Sequence, residues 1–251
     1  RVVQAAAVEA AALLQEGQVL LRQGEYAAAL VQMQAAGELA RTAGDRSLGA
    51  DCLHGEAMAQ VYLGEFDDAH ASFEAALAEA VAVGNRRLEC TLLNRLSWVP
   101  ANRNDFRRAI FYVEQALKLS REIGDRVVEA HALTNLGNSY IQLSDYPRGK
   151  EYSEAALAIY RELGDPGGEC AVLDNIGSSA WGSGDFVAAI HYKLEALAIA
   201  RRIGDRQTEN NIVGNLGIVS CDMGDLENAY SYMQQALAFA RKDGNRSIES
   251  V

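Results

Sequence analysis

The chain has 251 residues, of which 49% are hydrophobic and 23% charged, a composition typical of a folded globular protein. Its formal net charge of −11 argues against direct binding to nucleic acid or to an anionic membrane surface, because both require a basic face. No apolar run approaches the roughly 18 residues needed to span a bilayer, and no signal peptide is recognisable, so we expect a cytoplasmic protein.

Two short sequence motifs alternate every twenty residues and divide each forty-residue period into two halves. The first, Gly-Asp-Arg or a close variant, begins at Gly44, Gly84, Gly124, Gly164, Gly204 and Gly244. The second, a Gly, Asn or Ser followed by Asp or Glu and, in five of the six copies, by an aromatic residue, begins at Gly24, Gly64, Asn104, Ser144, Gly184 and Gly224. Glycine suits the residue after a helix end, and Asp or Asn suits the N-cap of the next helix. Each half is therefore predicted to be one helix of about 17 residues and a tight turn.

Small and apolar residues recur inside these halves at the same forty-residue interval. The second half of each period carries Ala36, Ala76, Ala116, Ala156, Ala196 and Ala236. The first half carries the small residues Gly17, Ala57, Ser97, Gly137, Gly177 and Gly217, each preceded four residues earlier by Leu or Val. Small residues at fixed places allow two helix backbones to approach closely. A fixed period of this length predicts a repeat array in which each helical hairpin buries its apolar face on its neighbours.

The residues of the fourth period resemble a tetratricopeptide repeat. The resemblance lies in Asn135-Leu136-Gly137-Asn138-Ser139-Tyr140, Ser144-Asp145-Tyr146 and Ala156-Leu157, and the fifth and sixth periods show the same pattern. It implies an all-α fold, a right-handed α-solenoid of about six helical hairpins plus the start of a seventh. The expected units are residues 4–43, 44–83, 84–123, 124–163, 164–203 and 204–243.

One departure from the usual repeat is systematic. The usual unit has 34 residues and ends near a proline, whereas this chain has Arg121, Arg161, Arg201 or Arg241 there and continues to the turn. The forty-residue unit resembles the repeats of kinesin light chain and LGN-type polarity adaptors. It also resembles the arms of bacterial signal-transduction ATPases, including the maltose-regulon activator. The first two units match less well, because Glu16 and Glu56 replace the usual Leu or Ile.

The two ends of the sequence suggest a piece of a longer array. The chain begins at Arg1 rather than Met and stops at Val251, shortly after the seventh repeat begins. We therefore expect residues 1–251 to form a single array cut from a larger protein. Neither end resembles a polar capping repeat, so we expect end-to-end self-association through the uncapped ends.

No catalytic or metal-binding motif is recognisable. The four cysteines, Cys52, Cys90, Cys170 and Cys221, form no C-x-x-C pair, and the four histidines form no H-x-x-x-H pair. No glycine-rich phosphate loop or nucleophile elbow occurs. The sequence therefore predicts neither an enzyme nor a bound cofactor or metal.

The resemblance implies that the first helix of each hairpin lines a concave face that binds a ligand. The predicted ligand-binding residues are Asn94, Arg95, Trp98, His131, Asn135, Asn138, Asp174, Asn175, Trp181 and Asn215. Asn135, Asn175 and Asn215 recur at forty-residue spacing, and an amide can both donate to and accept from a peptide backbone. They could equally bond to a neighbouring helix, and the two tryptophans could be packing residues rather than ligand anchors.

Pro100 falls inside the predicted first helix of the third unit, two residues after Trp98. There it removes the hydrogen bond that its nitrogen would donate to the Leu96 carbonyl, so a kink is expected. An exchange for alanine is expected to stabilise the array by about 3 kcal/mol.

Together these features predict a scaffold for protein–protein interaction that binds a peptide or protein segment in its concave groove. The attached protein is expected to be a larger bacterial signalling protein of the signal-transduction ATPase type, with this array as its sensor or docking arm. Two alternatives stay open: a stand-alone LGN-type adaptor, and the repeat part of a caspase-like protease.

Overall fold

The computed structural model describes the backbone of residues 2–242 and the side chains of residues 3–241. Within that range the chain forms helices and tight turns and contains no strand, which confirms the predicted all-α fold. The start of a seventh repeat, at Gly244, lies outside the described residues.

The helices follow one another with short turns between them. In chain order they are α1 (Val2–Gln23), α2 (Tyr26–Ala43), α3 (Arg46–Leu63), α4 (Phe66–Ala82), α5 (Arg86–Leu96), α6 (Trp98–Asn102), α7 (Phe106–Ile123), α8 (Arg126–Gln142), α9 (Tyr146–Leu163), α10 (Pro166–Gly182), α11 (Phe186–Ile203), α12 (Arg206–Met223) and α13 (Leu226–Lys242). We call α1, α3, α5–α6, α8, α10 and α12 the first helices of the hairpins, and the others the second helices.

The chain divides into two compact units, Arg1–Ala132 and Leu133–Val251, and the boundary falls within α8. In the first unit α1 to α5 each pack against the next helix, and α5 and α6 both pack against α7. In the second unit α9 to α13 pack in the same consecutive order. Each unit is therefore a run of helical hairpins, as the sequence predicts.

The turns lie at the predicted twenty-residue spacing. Nine glycines, from Gly24 to Gly224, have a positive φ and end the preceding helix in the left-handed conformation. Asn104 and Ser144 take the same conformation without being glycine, with φ of 59° and 61°. The next residue begins the following helix, as where the Asp45 carboxylate accepts a hydrogen bond from the Leu48 backbone N–H at 3.0 Å. Glu25 and Glu65 occupy N-cap positions without such a bond.

The alanines that recur every forty residues lie where first and second helices meet. Ala36, Ala76, Ala116, Ala156 and Ala196 are completely buried, and Ala236 is nearly so. On the facing first helix, a Cβ added to Gly177 would lie 3.2 Å from the Ala189 carbonyl oxygen. The small residues are therefore required by the close approach of the two backbones.

The first helix of the third hairpin is interrupted, but not in the way expected from Pro100. The break falls at Ser97, so α5 ends at Leu96 and Pro100 lies in the first turn of the short helix α6. The Ser97 hydroxyl donates a hydrogen bond to the Asn94 carbonyl at 2.7 Å, and the backbone helix resumes with the bond from Ala101 N–H to the Ser97 carbonyl. Proline is tolerated in a first turn, so the expected gain of about 3 kcal/mol on its removal is too large.

Candidate functional site

In the first unit, the predicted ligand-binding residues cluster around the break between α5 and α6. The Arg95 guanidinium lies over the Trp98 ring, 4.2 Å from its centre, which is a cation–π contact. Asn94 is buried, with 5% of its surface exposed, whereas Arg95 and Trp98 are partly exposed. Burial lowers the pKa of Arg95, opposed by the nearby Tyr62, and a desolvated guanidinium of this kind favours an anionic or aromatic partner.

His54 lies beside this cluster on the neighbouring first helix α3. Its ring is 6.2 Å from that of Phe73, and its Nε2 is buried without a hydrogen-bond partner. Burial, together with the positive charge of Arg95, lowers the pKa of His54 to about 4. The imidazole is therefore neutral at physiological pH and can accept a hydrogen bond at Nε2.

His131 is the remaining predicted residue of the first unit, and it is exposed on α8. In the second unit Asn138 is also exposed on α8, and Asn135 is half-buried there.

The second unit places Trp181 at the end of α10, half-buried. Its indole Nε1–H donates a hydrogen bond to the Asp222 carboxylate on α12 at 2.8 Å. Trp181 was predicted to bind the ligand, and the structure joins it to Asp222 across two adjacent first helices. The bond fixes the orientation of the indole, while part of the ring stays accessible.

Asp174 makes an ion pair that the sequence did not suggest. Lys193, on the second helix α11, is 99% buried, and its Nζ lies 2.7 Å from the Asp174 carboxylate and 3.0 Å from the Ser178 hydroxyl. A buried ammonium requires such partners, which gives Asp174 a structural role. The sequence does carry a signal for this ion pair, because Lys193 is charged whereas the corresponding positions of the other hairpins hold the uncharged residues Met33, Phe73, Val113, Ser153 and Met233.

Asn175 on α10 and Asn215 on α12 occupy the same place on successive first helices of the second unit. Both are half-buried, and within the described residues neither side chain makes a hydrogen bond. A half-buried amide without a protein partner retains a donor and an acceptor for another molecule. These two residues therefore differ from Asp174 and Trp181, whose polar atoms are already bonded.

The arginines that replace the usual proline pair with the first turn of the next first helix. Arg121, Arg161 and Arg201 each donate from Nε to the glutamate eight residues later, at 2.9, 2.7 and 2.8 Å. Burial of Glu129 opposes its ionisation, but hydrogen bonds from Arg121 and Arg126 outweigh this and lower its pKa. These glutamates lie in the first turn of a first helix, where an acidic side chain also interacts favourably with the helix dipole. The longer second helix is thus tied to the following hairpin.

Thiols, possible metal ligands and possible membrane-spanning helices are the other features of the described residues that bear on function. Cys52, Cys90 and Cys170 are buried free thiols, and burial raises the pKa of Cys52 and of Cys90 to about 12. Among the side chains of residues 3–241, no three acidic, His or Cys groups converge as metal ligands would. The described helices include none with the length and hydropathy of a membrane span.

Comparison with known sequences supports the repeat assignment. A family model described as a tetratricopeptide repeat matches residues 128–202, which extend from α8 into α11. The resemblance to this family is thereby confirmed, and residues 128–202 match tetratricopeptide repeats. No curated protein sequence matches the chain.

Comparison with solved structures gives the same fold. BtubC (BKLC) from P. vanneervenii is 19% identical with a TM-score of 0.70, and the match covers 97% of this chain and 93% of that one. A Rap protein complexed with competence and sporulation factor is 16% identical, with a TM-score of 0.72 over 94% and 77% of the two chains. A STAND protein with a tetratricopeptide repeat sensor, from Pyrococcus horikoshii, is 15% identical, with a TM-score of 0.76 over 98% and 39%. At these identities the likeness shows the fold alone.

Proposed function

We propose that this chain is a scaffold that binds a peptide or protein segment along its first helices. The observation that carries the proposal is the pair Asn175 and Asn215, two half-buried amides without a protein partner at equivalent places on α10 and α12. Amides repeated along adjacent helices can bond successive groups of an extended backbone. Trp181, oriented by Asp222, would pack against an apolar side chain of the same segment.

In the first unit the residues Asn94, Arg95 and Trp98 form a second candidate contact surface, to which the exposed His131 is added on α8. Arg95 has no carboxylate within salt-bridge distance in the described residues, so a carboxylate of the bound segment could take that place. Asn135 and Asn138 of α8 belong to the second unit and are candidate contacts there. Asp174 contributes through its ion pair with Lys193 rather than by direct contact.

The role of sensor or docking arm in a larger bacterial signalling protein is supported by the solved structures that share this fold. Besides the STAND protein with a repeat sensor, NprR in complex with its cognate peptide NprX shares the fold, at 15% identity and a TM-score of 0.71 over 96% of this chain. An LGN-type adaptor and the repeat part of a caspase-like protease are the alternatives. A nucleotide-binding domain encoded in the same gene would favour the sensor arm, and a protease domain the last alternative.

Three further expectations belong to the same proposal. We infer a non-enzymatic, cytoplasmic protein, because the described polar residues are occupied in caps, ion pairs or candidate contacts rather than in a catalytic set. The exposed apolar residues Leu226, Tyr230 and Met233 on α13 support the expected end-to-end self-association. Nucleic acid, membrane and cofactor are not expected as direct partners of a chain with net charge −11.

The proposal is tested by selecting binding peptides on the immobilised chain and measuring the affinity of the best one by calorimetry. The double variant Asn175→Ala/Asn215→Ala is expected to weaken binding about tenfold or more, because several backbone hydrogen bonds are lost together. Trp181→Ala is expected to cost about 2 kcal/mol of binding free energy if the indole anchors the peptide. The matched control is Gln234→Ala, an exposed amide on the second helix α13, which should bind as wild type does. Undiminished affinity in the first two variants, with unchanged circular dichroism, would exclude these residues from the site.

A further inference from the structure

A second candidate site lies away from the first-helix face, between the second helices α2 and α4 in the first unit. A cavity of about 750 Å³ opens there, above α3. Its size lies within the range of about 300–1,000 Å³ that is usual for ligand pockets. Its floor and walls include Gly37, Gly49, Leu53 and Glu56.

The cavity exists because the residues that fill this place in later hairpins are absent. Gly37 stands where the later hairpins carry Leu77, Leu117, Leu157 and Leu197. Gly49 stands where they carry Glu89, Glu129, Glu169 and Glu209. Both glycines lie inside helices, where glycine is unfavourable relative to other residues, so neither is explained by local backbone geometry.

A third departure makes the floor of the cavity acidic. Glu56 stands where the later hairpins bury Leu96, Leu136, Ile176 and Leu216. Its carboxylate accepts hydrogen bonds from Gln34 at 3.2 Å and from Gln60 at 3.4 Å, and it has no cationic partner among the described residues. Three departures from the repeat thus converge on one cavity.

The charges around the cavity leave an excess of negative charge. Arg46 is paired with Glu79 at 2.6 Å, and Arg41 is paired with Glu38 on its own helix. Asp45 and Glu56 also line the cavity, and neither forms a salt bridge within the described residues. A bound group that carries a positive charge would compensate these two carboxylates.

We propose that this cavity, which we call the α2–α4 pocket, binds a protein segment that presents a leucine-like apolar side chain next to a basic one. The apolar side chain takes the place that Leu77 and its counterparts fill in later hairpins and packs on Leu53. The basic side chain lies against the Glu56 carboxylate. The pocket is independent of the first-helix face, so the two sites can be occupied or lost separately.

The structure provides a variant that fills the pocket without disturbing the fold. A Cβ added to Gly37 would contact only the Cβ of Cys52, at 3.7 Å, and one added to Gly49 would meet nothing within 4 Å. Gly37→Leu therefore restores the side chain of the other hairpins in a place that has room for it. The matched control is Ala198→Leu, which adds an exposed leucine to the second helix α11 of the other unit.

The test is a titration of the labelled protein with two small probes, acetyl-Leu-Arg-amide and acetyl-Leu-Glu-amide, followed by NMR at the backbone amides of Gly37, Gly44 and Gly49. The Leu-Arg probe is expected to shift these amides and to bind about fivefold more tightly than the Leu-Glu probe, the ratio typical of one partly exposed ion pair. Gly37→Leu should abolish the shifts, and Ala198→Leu should leave them unchanged. Glu56→Gln should reduce the preference for the basic probe while binding through leucine persists.

Three outcomes would overturn the inference. If neither probe shifts these amides in the wild type, the cavity takes no such segment. If binding survives Gly37→Leu, the probe lies elsewhere. If acetyl-Leu-Glu-amide binds as tightly as the basic probe or more so, the charge assignment is wrong, and Arg41 rather than Glu56 selects the partner.

Discussion

Residues 34–102 and residues 133–242 are built from the same forty-residue repeat. The later region follows its pattern of packing residues more closely than the earlier one. In the later region the position after the buried alanine holds Leu157 or Leu197, and Arg161 and Arg201 pair with the next first helix. In the earlier region Gly37 leaves a cavity, and Arg41 pairs on its own helix.

The difference shows that the turns and the interior of such a repeat are specified separately. Both regions keep the left-handed residue and the N-cap every twenty residues, so both form hairpins of the same length. The earlier region exchanges packing residues for Gly37, Gly49 and Glu56, which leave a cavity, whereas the later region exchanges one for Lys193, whose charge is paired inside the fold. In a repeat array an exchange of this kind alters one hairpin and its neighbours while the rest of the array is retained.

The largest expected effect comes from breaking the close approach of helices in the regular region. A Cβ added to Gly137 would lie 2.5 Å from the Ser153 hydroxyl and 3.1 Å from the Gly149 carbonyl oxygen. Gly137→Leu is therefore expected to lower the free energy of unfolding by about 3 kcal/mol, as overpacking does in a tight core. Urea denaturation measures the change.

An exchange at a glycine with open space around it is expected to raise the free energy of unfolding instead. A Cβ added to Gly214 on α12 would meet nothing within 4 Å. Gly214→Ala should therefore stabilise the protein by about 1 kcal/mol through helix propensity alone. If Gly137→Leu proved as harmless as this control, the backbones of α8 and α9 would not be in close contact.

His54 is a second difference between the two regions, because the corresponding positions of the later region hold Thr134 and Asp174. Burial, with the charge of Arg95, holds the pKa of His54 near 4 in the folded protein, whereas the unfolded chain has the ordinary value of about 6.5. As the pH falls below 6.5 the unfolded state binds a proton first, so stability is complete above pH 6.5 and decreases toward pH 4.

Between pH 6.5 and 5 this linkage is expected to remove about 1.5 kcal/mol of stability. The measurement is the difference in unfolding free energy between wild type and His54→Gln at each pH, since carboxylates shared by both proteins cancel. Parallel curves for the two proteins would mean that the imidazole is solvated and titrates normally.

The smallest effect is expected at Pro100. Because α5 already ends at Leu96 and Pro100 lies in the first turn of α6, Pro100→Ala should change the unfolding free energy by less than about 1 kcal/mol. The Ser97 region should exchange its amide hydrogens at nearly the wild-type rate. A gain near 3 kcal/mol, with new protection across residues 96–101, would show that the proline alone breaks the helix.

The hairpins and their turns could be predicted from the sequence because their causes are local. Glycine in the left-handed conformation and Asp or Asn at the N-cap act within a few residues, and forty-residue spacing repeats the signal. Asn104 and Ser144 also take the left-handed conformation at the expected positions, although they are not glycine. The break in the third first helix was expected at Pro100, whereas α5 already ends at Leu96, where the Ser97 hydroxyl bonds to the Asn94 carbonyl.

The candidate site could be predicted only in part. The sequence identified Trp181 and Asp174 as groove residues, but which polar atoms are already bonded depends on side chains far along the chain. Asp222 is 41 residues from Trp181, and Lys193 is 19 residues from Asp174. The α2–α4 pocket could not be predicted from Gly37, Gly49 and Glu56, because they lie on two helices and line one cavity only when these helices pack together.

The sequence by itself determined the helical hairpins, their length and their boundaries, since these follow from turn chemistry and from a spacing that no insertion interrupts. The tertiary structure alone decided which side chains remain available: Asn175 and Asn215 without protein partners, Asp174 neutralised by a buried Lys193, and a cavity beside Gly37. The physical reason is that a turn is specified by neighbours in sequence, whereas satisfaction of a polar group and filling of a cavity depend on neighbours in space.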